Sequence, residues 1–344
     1  MEESSSGKEQ RDNLKKIVVQ QSSPENKNRI EEELFGYGPL EALIHRPYIN
    51  EIIINNQKHI AYEEEGTIHL LEDSFLSYLT FNNIVEKLST EASLTVNLKK
   101  PFAEGKWKDF RIHITRPPLV EKDFHVILRR HPKNIWTLEK LLSKSWAPPE
   151  AIDILKDFIK EKLNFLIVGP TSSGKTSVLN ACLQELSQKE RIITIEDASE
   201  IVLPNPVSLK LLTQTAPESS LALIDQNELV RQSLRLRPDR IVMGEVRGGE
   251  AKDLLLALTS GHRGSIGTLH SETHQQALWK LETLAQIGAP QWQSSTIQRL
   301  LFSSLQGVVV VSRRGNLRLL KGIYRITGLE PTGFLFESLF ERNL

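Results

Sequence analysis

The octapeptide Gly169-Pro-Thr-Ser-Ser-Gly-Lys-Thr176 constrains this chain more than any other segment. It matches G-x-x-x-x-G-K-[ST] in full. The apolar run Phe165-Leu-Ile-Val168 leads into it, and the helix-like run Ser177-Val-Leu-Asn-Ala-Cys-Leu-Gln-Glu-Leu186 leads out. Strand, glycine loop and helix form the context in which this motif cradles phosphate. Glycines allow the backbone to turn its N–H groups inward at a helix N-terminus, where an anion is favoured. The loop Gly169, Pro170, Thr171, Ser172, Ser173 and Gly174 is thereby predicted to hold the phosphates of a nucleoside triphosphate. Lys175 would reach the β- and γ-phosphates, and the Thr176 hydroxyl would ligate Mg²⁺. A plain Gly/Ser turn ahead of a helix is the alternative, and the flanking elements weigh against it.

Composition excludes several other classes. The 344 residues suffice for two domains. Lys+Arg and Asp+Glu are 43 each, and aromatic residues make up 6%. Zero net charge and few stacking side chains argue against a nucleic-acid translocase and against specific nucleic-acid binding. Cys182 is the sole cysteine, so no intrachain disulfide or cysteine metal cluster can form. It is read as a small buried apolar residue. No run approaches the roughly 18–20 apolar residues of a membrane span, and Met1-Glu-Glu-Ser-Ser-Ser-Gly-Lys8 lacks an apolar signal core. A cytoplasmic location is expected, with any membrane attachment through partners and no direct insertion.

Periodicity divides the chain. Residues 1–28 read as a disordered or helical tail, 29–133 as an N-terminal α/β domain, 134–143 as a linker and 144–344 as the nucleotide-binding domain. In the first domain a helix near Ile30–Phe35 stops at Gly36-Tyr-Gly-Pro39, strands lie at 51–54 and 60–62, and a helix lies near 81–92. Residues 110–114 and 124–128 alternate like half-buried strands. In the second domain, apolar runs at 165–168, 192–195 and 241–243 alternate with helical stretches at 177–187, 227–236 and 250–258. Strands apolar throughout suit a parallel sheet covered on both faces. The fold class is therefore α/β: a RecA-like P-loop NTPase C-terminal domain with a smaller mixed α/β N-terminal domain.

Hydrolysis needs acids beside the phosphate cradle. Ile192–Ile195 runs into Glu196-Asp197, and Ile241–Met243 runs into Gly244-Glu245-Val-Arg247. Ligands of open α/β sheets bind at the carboxyl ends of strands, where these acids fall. A third segment, Gly261-His-Arg-Gly-Ser-Ile-Gly-Thr-Leu-His270, brings two histidines. An imidazole there could donate to a γ-phosphate or bind a metal, though no further ligands stand nearby at a zinc spacing. Arg231, Arg235, Arg237 and Arg240 form a basic run, readable as phosphate or inter-subunit contacts or as a solvated helix face.

Taken together these segments resemble the secretion ATPases of type II secretion, type IV pili and type IV secretion, and most closely the CpaF/TadA branch that powers Tad/Flp pili. The branch shows a glycine loop, an Asp box, a Walker B segment and a His box in that order. Here they read as residues 169–176, Thr194–Ile201, Leu236–Ala251 and Gly261–His270. The phrase Arg237-Pro-Asp-Arg-Ile-Val-Met-Gly-Glu-Val-Arg-Gly-Gly-Glu-Ala251 is specific to the branch, and Gly36–Glu41, Asn50–Asn55, Arg111-Ile-His113 and Ile326–Glu330 agree with it. The resemblance implies a Mg²⁺-dependent ATPase. Lys175 and Thr176 would hold phosphate and Mg²⁺, Glu196 would activate water, Glu245 would stand on the Mg²⁺ side and His270 would be the His-box histidine. Arg111 and Arg129 would lie against the phosphates when the domains close. It also implies a homo-hexameric ring and partners among inner-membrane platform proteins.

This chain departs from the branch in places. Ser172 replaces a loop glycine. Val207-Ser-Leu-Lys-Leu-Leu212 lacks the arginines usual after the Asp box, and Ser271-Glu272 replaces an Ala-Asn pair. Two other functions stay open: a type IV secretion ATPase moving protein or DNA, and a weakly active nucleotide-sensing paralogue.

Overall fold

The computed structural model describes residues 24–64, 66–130, 135–214, 223–315 and 317–342. The chain separates into two compact units, one ending at Pro132 and one starting at Lys133.

The first unit is a six-stranded antiparallel sheet with helices over one face. Helix α1 (Pro24–Phe35) stops at Gly36, a short 3₁₀ turn spans Gly38–Leu40, and α2 is Glu41–Ile44. Strands β1 (Ile49–Ile54), β2 (Ile60–Glu64) and β3 (Thr67–Leu70) precede α3 (Tyr78–Glu91). Strands β4 (Phe102–Trp107), β5 (Phe110–Thr115) and β6 (His125–Arg130) follow it. The order is β3-β2-β1-β6-β5-β4. Ser77 starts α3 with a capping box shared with Thr80. Phe81, Ile84, Val85 and Leu88 of α3 pack on Ile52, Ile54, Ile112, Ile114, Val126 and Leu128, the inward positions of strands with period-two burial. Strands β3 and β4 carry no comparable pattern in sequence. All four residues of β3 are exposed, and Gly105 interrupts β4.

The second unit starts earlier than its apolar periodicity suggests. Segment 134–143, expected as a linker, carries helix α4 (Leu138–Ser143). Thr137 caps it by accepting a hydrogen bond from Lys140 N, and Leu138 and Leu141 are buried in the unit's core. Leucines at i and i+3 on a capped turn dock instead of spanning solvent. Next come α5 (Pro149–Lys160), β7 (Phe165–Gly169), α6 (Lys175–Gln184), β8 (Ile192–Glu196) and β9 (Leu209–Leu212). Then follow α7 (Gln226–Ser233), β10 (Arg240–Met243), α8 (Glu250–Thr259), β11 (Ile266–His270), α9 (His274–Gly288) and α10 (Ser294–Ser304). Strands β12 (Gly307–Arg314), β13 (Leu317–Glu330) and β14 (Gly333–Glu341) close the unit.

The eight-stranded order is β14-β13-β12-β7-β11-β10-β8-β9. Strands from β12 through β9 in that order run parallel, and β12-β13-β14 add an antiparallel edge. Alternate residues of β7 feed two cores. Leu166 and Val168 meet helices α7 to α10, while Phe165 and Ile167 meet α4 to α6. Both sheet faces are covered, which is why its central strands read as continuous apolar runs. Among the described residues no helix is long and apolar enough to cross a membrane.

Arg240 settles part of the basic run. It opens β10, is 2% exposed, and donates from Nε to Glu190 at 2.6 Å and from its terminal nitrogens to Gly264 O at 3.2 Å and Ile159 O at 3.1 Å. It is a structural cation, whereas Arg231 is exposed and reaches from α7 to the buried Asp253. Arg240→Ala strands two carbonyls and leaves Glu190 with Lys162 alone, 3.3 Å away, so a loss of about 3 kcal/mol is expected. Urea unfolding followed by circular dichroism checks this.

Candidate functional site

The parallel order carries the chemistry-bearing residues to one edge. Strands β7, β11, β10 and β8 end at Gly169, His270, Met243 and Glu196, and Glu245 follows β10 by two residues. The register pairs His270 with Gly169 and Met243 with Ile195. Loops 169–174 and 244–249 and the segment after Glu196 thus leave the same carboxyl-terminal edge of the sheet.

The phosphate loop has the backbone its sequence demands. Gly174 sits at φ +90° immediately before α6, a left-handed angle that glycine adopts without steric cost. At Gly169 a Cβ would meet Val311 O at 2.5 Å and Ser173 Oγ at 2.7 Å. Ser172, where glycine was expected, also lies in the left-handed region at φ +59°, at a cost of about 1–2 kcal/mol for a residue with a Cβ. Arg318 on β13 donates from Nε to Ser172 O at 3.1 Å, holding that turn from the antiparallel edge.

Lys175 opens α6 and is buried. Its Nζ donates to Gly169 O at 3.0 Å, Pro170 O at 3.0 Å and His270 Nδ1 at 3.1 Å. On the other side of the ring, His270 Nε2 lies 2.7 Å from Glu245 Oε1. The angle there is not that of a hydrogen bond, and Glu245 Oε1 is buried without a hydrogen-bond partner. Burial, together with the Lys175 ammonium, holds the imidazole below its ordinary range against the pull of Glu245. A neutral ring with Nδ1 as acceptor satisfies the Lys175 contact and leaves the Nε2 proton on the side of the Glu245 carboxylate. Thr176 follows Lys175 in the first turn of α6.

Glu196 is a second centre. It is 3% exposed, and its Oε1 accepts from Glu200 N at 2.8 Å and Ile201 N at 2.7 Å. Its Oε2 accepts no hydrogen bond, and Lys210 Nζ on β9 stands 3.5 Å away. Burial pushes the carboxyl above the usual range, opposed by Lys210 and the two N–H groups. Asp197 accepts from Thr213 Oγ1 at 3.1 Å and Gln226 Nε2 at 2.9 Å. Arg247 donates to Glu245 Oε2 and, at 3.5 Å, to Asp197, so one guanidinium joins the two strand-end acids.

The structure therefore groups Lys175, His270 and Glu245, and it connects Glu245 through Arg247 to Asp197 beside Glu196. His262 lies apart, its Nδ1 3.1 Å from Ala257 O. Arg111 and Arg129 belong to the first unit, as register partners on β5 and β6. Arg111 donates to Glu104 Oε1 at 2.6 Å, and Arg129 pairs in register with Glu51. Sequence reasoning missed Arg247, Lys210 and Arg318. Arg247 stood two residues from Glu245 in a noted phrase, and Lys210 stood in the stretch noted for lacking arginines. Arg318 is 146 residues from Ser172, and no local signal joins them.

The model of the type II/IV secretion system protein family matches residues 36–314. The type IV secretion system protein PtlH of Bordetella pertussis is 31% identical over 301 residues, covering 80% of this chain and 88% of its own length. A putative conjugal transfer protein of Mycobacterium tuberculosis is 29% identical over 266 residues, covering 75% and 76%. Among solved structures, the Legionella pneumophila ATPase DotB superposes with a TM-score of 0.61 at 18% identity, over 86% of this chain and 80% of that one. The pilus retraction motor PilT with bound ADP gives 0.55 at 19%, with the same coverage. With its RecA-like C-terminal unit and a family match running through both units, the chain belongs to the type II/IV secretion system protein family.

Proposed function

We propose that this chain is the ATPase subunit of a homo-hexameric ring that couples Mg²⁺-dependent ATP hydrolysis to assembly of a Tad/Flp-type pilus. The ring would work at the cytoplasmic face of the inner membrane, attached through platform proteins. The observation that carries the hydrolytic part is the meeting of Lys175, His270 and Glu245 beside the phosphate loop. Lys175 would exchange its loop carbonyls for β- and γ-phosphate oxygens. Glu196 Oε2 would take a proton from water as the water oxygen attacks the γ-phosphorus. The bond to the β,γ-bridging oxygen breaks, and ADP leaves with that electron pair. His270, from the adjoining strand end, would sense the γ-phosphate. Arg111 and Arg129 are proposed as further phosphate contacts.

The donors present suit a hard divalent cation. The Thr176 hydroxyl and Glu245, whose buried Oε1 accepts no hydrogen bond although His270 Nε2 lies 2.7 Å away, would hold Mg²⁺ alongside the phosphates. When bound, the ion neutralises charge on the β- and γ-phosphate oxygens.

The Arg237–Ala251 phrase favours the pilus cargo. The similarity to PtlH and to a conjugal transfer protein favours a second cargo, protein or DNA moved by type IV secretion. Native mass spectrometry with ATP should find six copies; a monomer at micromolar concentration overturns the ring. In the source bacterium a chromosomal Lys175→Ala change should abolish surface pili. Retained pili with lost protein or DNA transfer would establish the second cargo.

A further inference from the structure

We propose that Lys210 is the positioning residue that keeps the Glu196 carboxylate ionised and its Oε2 directed at the attacking water. The proposal rests on the reading of Glu196 as the base. One face of the carboxylate is already committed, since Oε1 takes two backbone N–H groups from Glu200 and Ile201. The other oxygen accepts no hydrogen bond, and Lys210 Nζ stands 3.5 Å from it. Lys210 is itself held. Its Nζ donates to Ser199 Oγ at 2.7 Å and to Ile201 O, both in the segment that follows Glu196. The register pairs Thr194 with Lys210 and Glu196 with Leu212 across β8 and β9.

Among the described residues, the other neighbours bring no comparable charge. On the β10 side, Gly244 packs on the Glu196 side chain, where a Cβ would stand 3.0 Å from its Cγ. Asp197 turns to Thr213, Gln226 and Arg247, and Glu200 presents its backbone N–H. A carboxylate with 3% exposure needs a nearby cation to stay charged near neutral pH. An alkylammonium at 3.5 Å supplies that charge without occupying Oε2 as a short hydrogen bond would. The base is thereby charged and still able to accept a proton. Lys210 is the one charged side chain in the stretch Val207–Leu212.

The test is steady-state phosphate release from Mg·ATP by the full chain between pH 5.5 and 9. With Lys210→Met, the acid limb should move up by about one pH unit, so that kcat falls about tenfold at pH values well below the limb and less near neutrality. Turnover should return to within about threefold of wild type at pH 9. Lys210→Arg should keep the wild-type limb. Lys210→Gln removes the charge but can still donate to Ser199 and Ile201, so it should shift the limb as Met does. It also serves if the methionine variant does not fold. An unmoved limb in both the Met and Gln variants overturns the proposal and leaves Lys210 as a staple of the 197–201 segment. If Glu196→Gln retains wild-type turnover, the base reading itself falls, whatever the Lys210 variants do.

Discussion

Replacing Lys175 by alanine is expected to lower ATP turnover by about 10²–10³-fold, the range for removing one preorganised charge donor from a phosphoryl-transfer site. The lysine is buried at the start of α6, and three acceptors aim its ammonium along the phosphate loop: Gly169 O, Pro170 O and His270 Nδ1. No other loop side chain from 169 to 174 carries a charge. The loss should fall on nucleotide binding and on kcat together, because the cation meets phosphate in both ground and transition states. Two measurements check it: titration with a fluorescent ATP analogue, and phosphate release at saturating ATP. Turnover within threefold of wild type would remove Lys175 from the mechanism. Restoration by Lys175→Arg is not expected, since a planar fork does not fit the space that a compact ammonium shares with the two loop carbonyls.

Glu196→Gln is expected to lower kcat by about 10²–10³-fold with little change in KM, the pattern for a group that acts only as the proton leaves water. The substitution preserves shape, so one amide oxygen can still accept from Glu200 N and Ile201 N. What is lost is the basic oxygen that accepts no hydrogen bond. Single-turnover hydrolysis separates this from an effect on product release. A variant that binds ATP and hydrolyses it at the wild-type rate would mean that water is activated elsewhere. Equal, very slow turnover in wild type and variant would instead identify a nucleotide-sensing relative that barely hydrolyses.

Local chemistry accounts for the parts of this site that could be read in the chain. The Gly169–Thr176 loop is contiguous, and its backbone angles follow from glycine at 169 and 174 and from the strand and helix on either side. Glu196 and Glu245 were recognisable because each ends an apolar run, and such runs signal a sheet covered on both faces. Helices α6 and α8 carried their own periodicity. Elements without pattern escaped: β3 because all its residues are exposed, β4 because of Gly105, and α4 because six residues are too few to show a period. The basic run misled for a related reason. Its arginines share a stretch of sequence, yet Arg240 opens a buried strand while Arg231 rides a surface helix.

The sequence by itself determined that the chain has a phosphate loop, parallel-strand carboxylates and a RecA-like unit, because each is written in residues that are neighbours in the chain. Tertiary structure alone decided which of those residues meet. The order β7-β11-β10-β8-β9 sets His270 between Lys175 and Glu245, and it sets Lys210 against Glu196. The β12–β13 hairpin brings Arg318 to Ser172. Strand order and register are products of packing two helical layers on one sheet, and no stretch of contiguous residues encodes them.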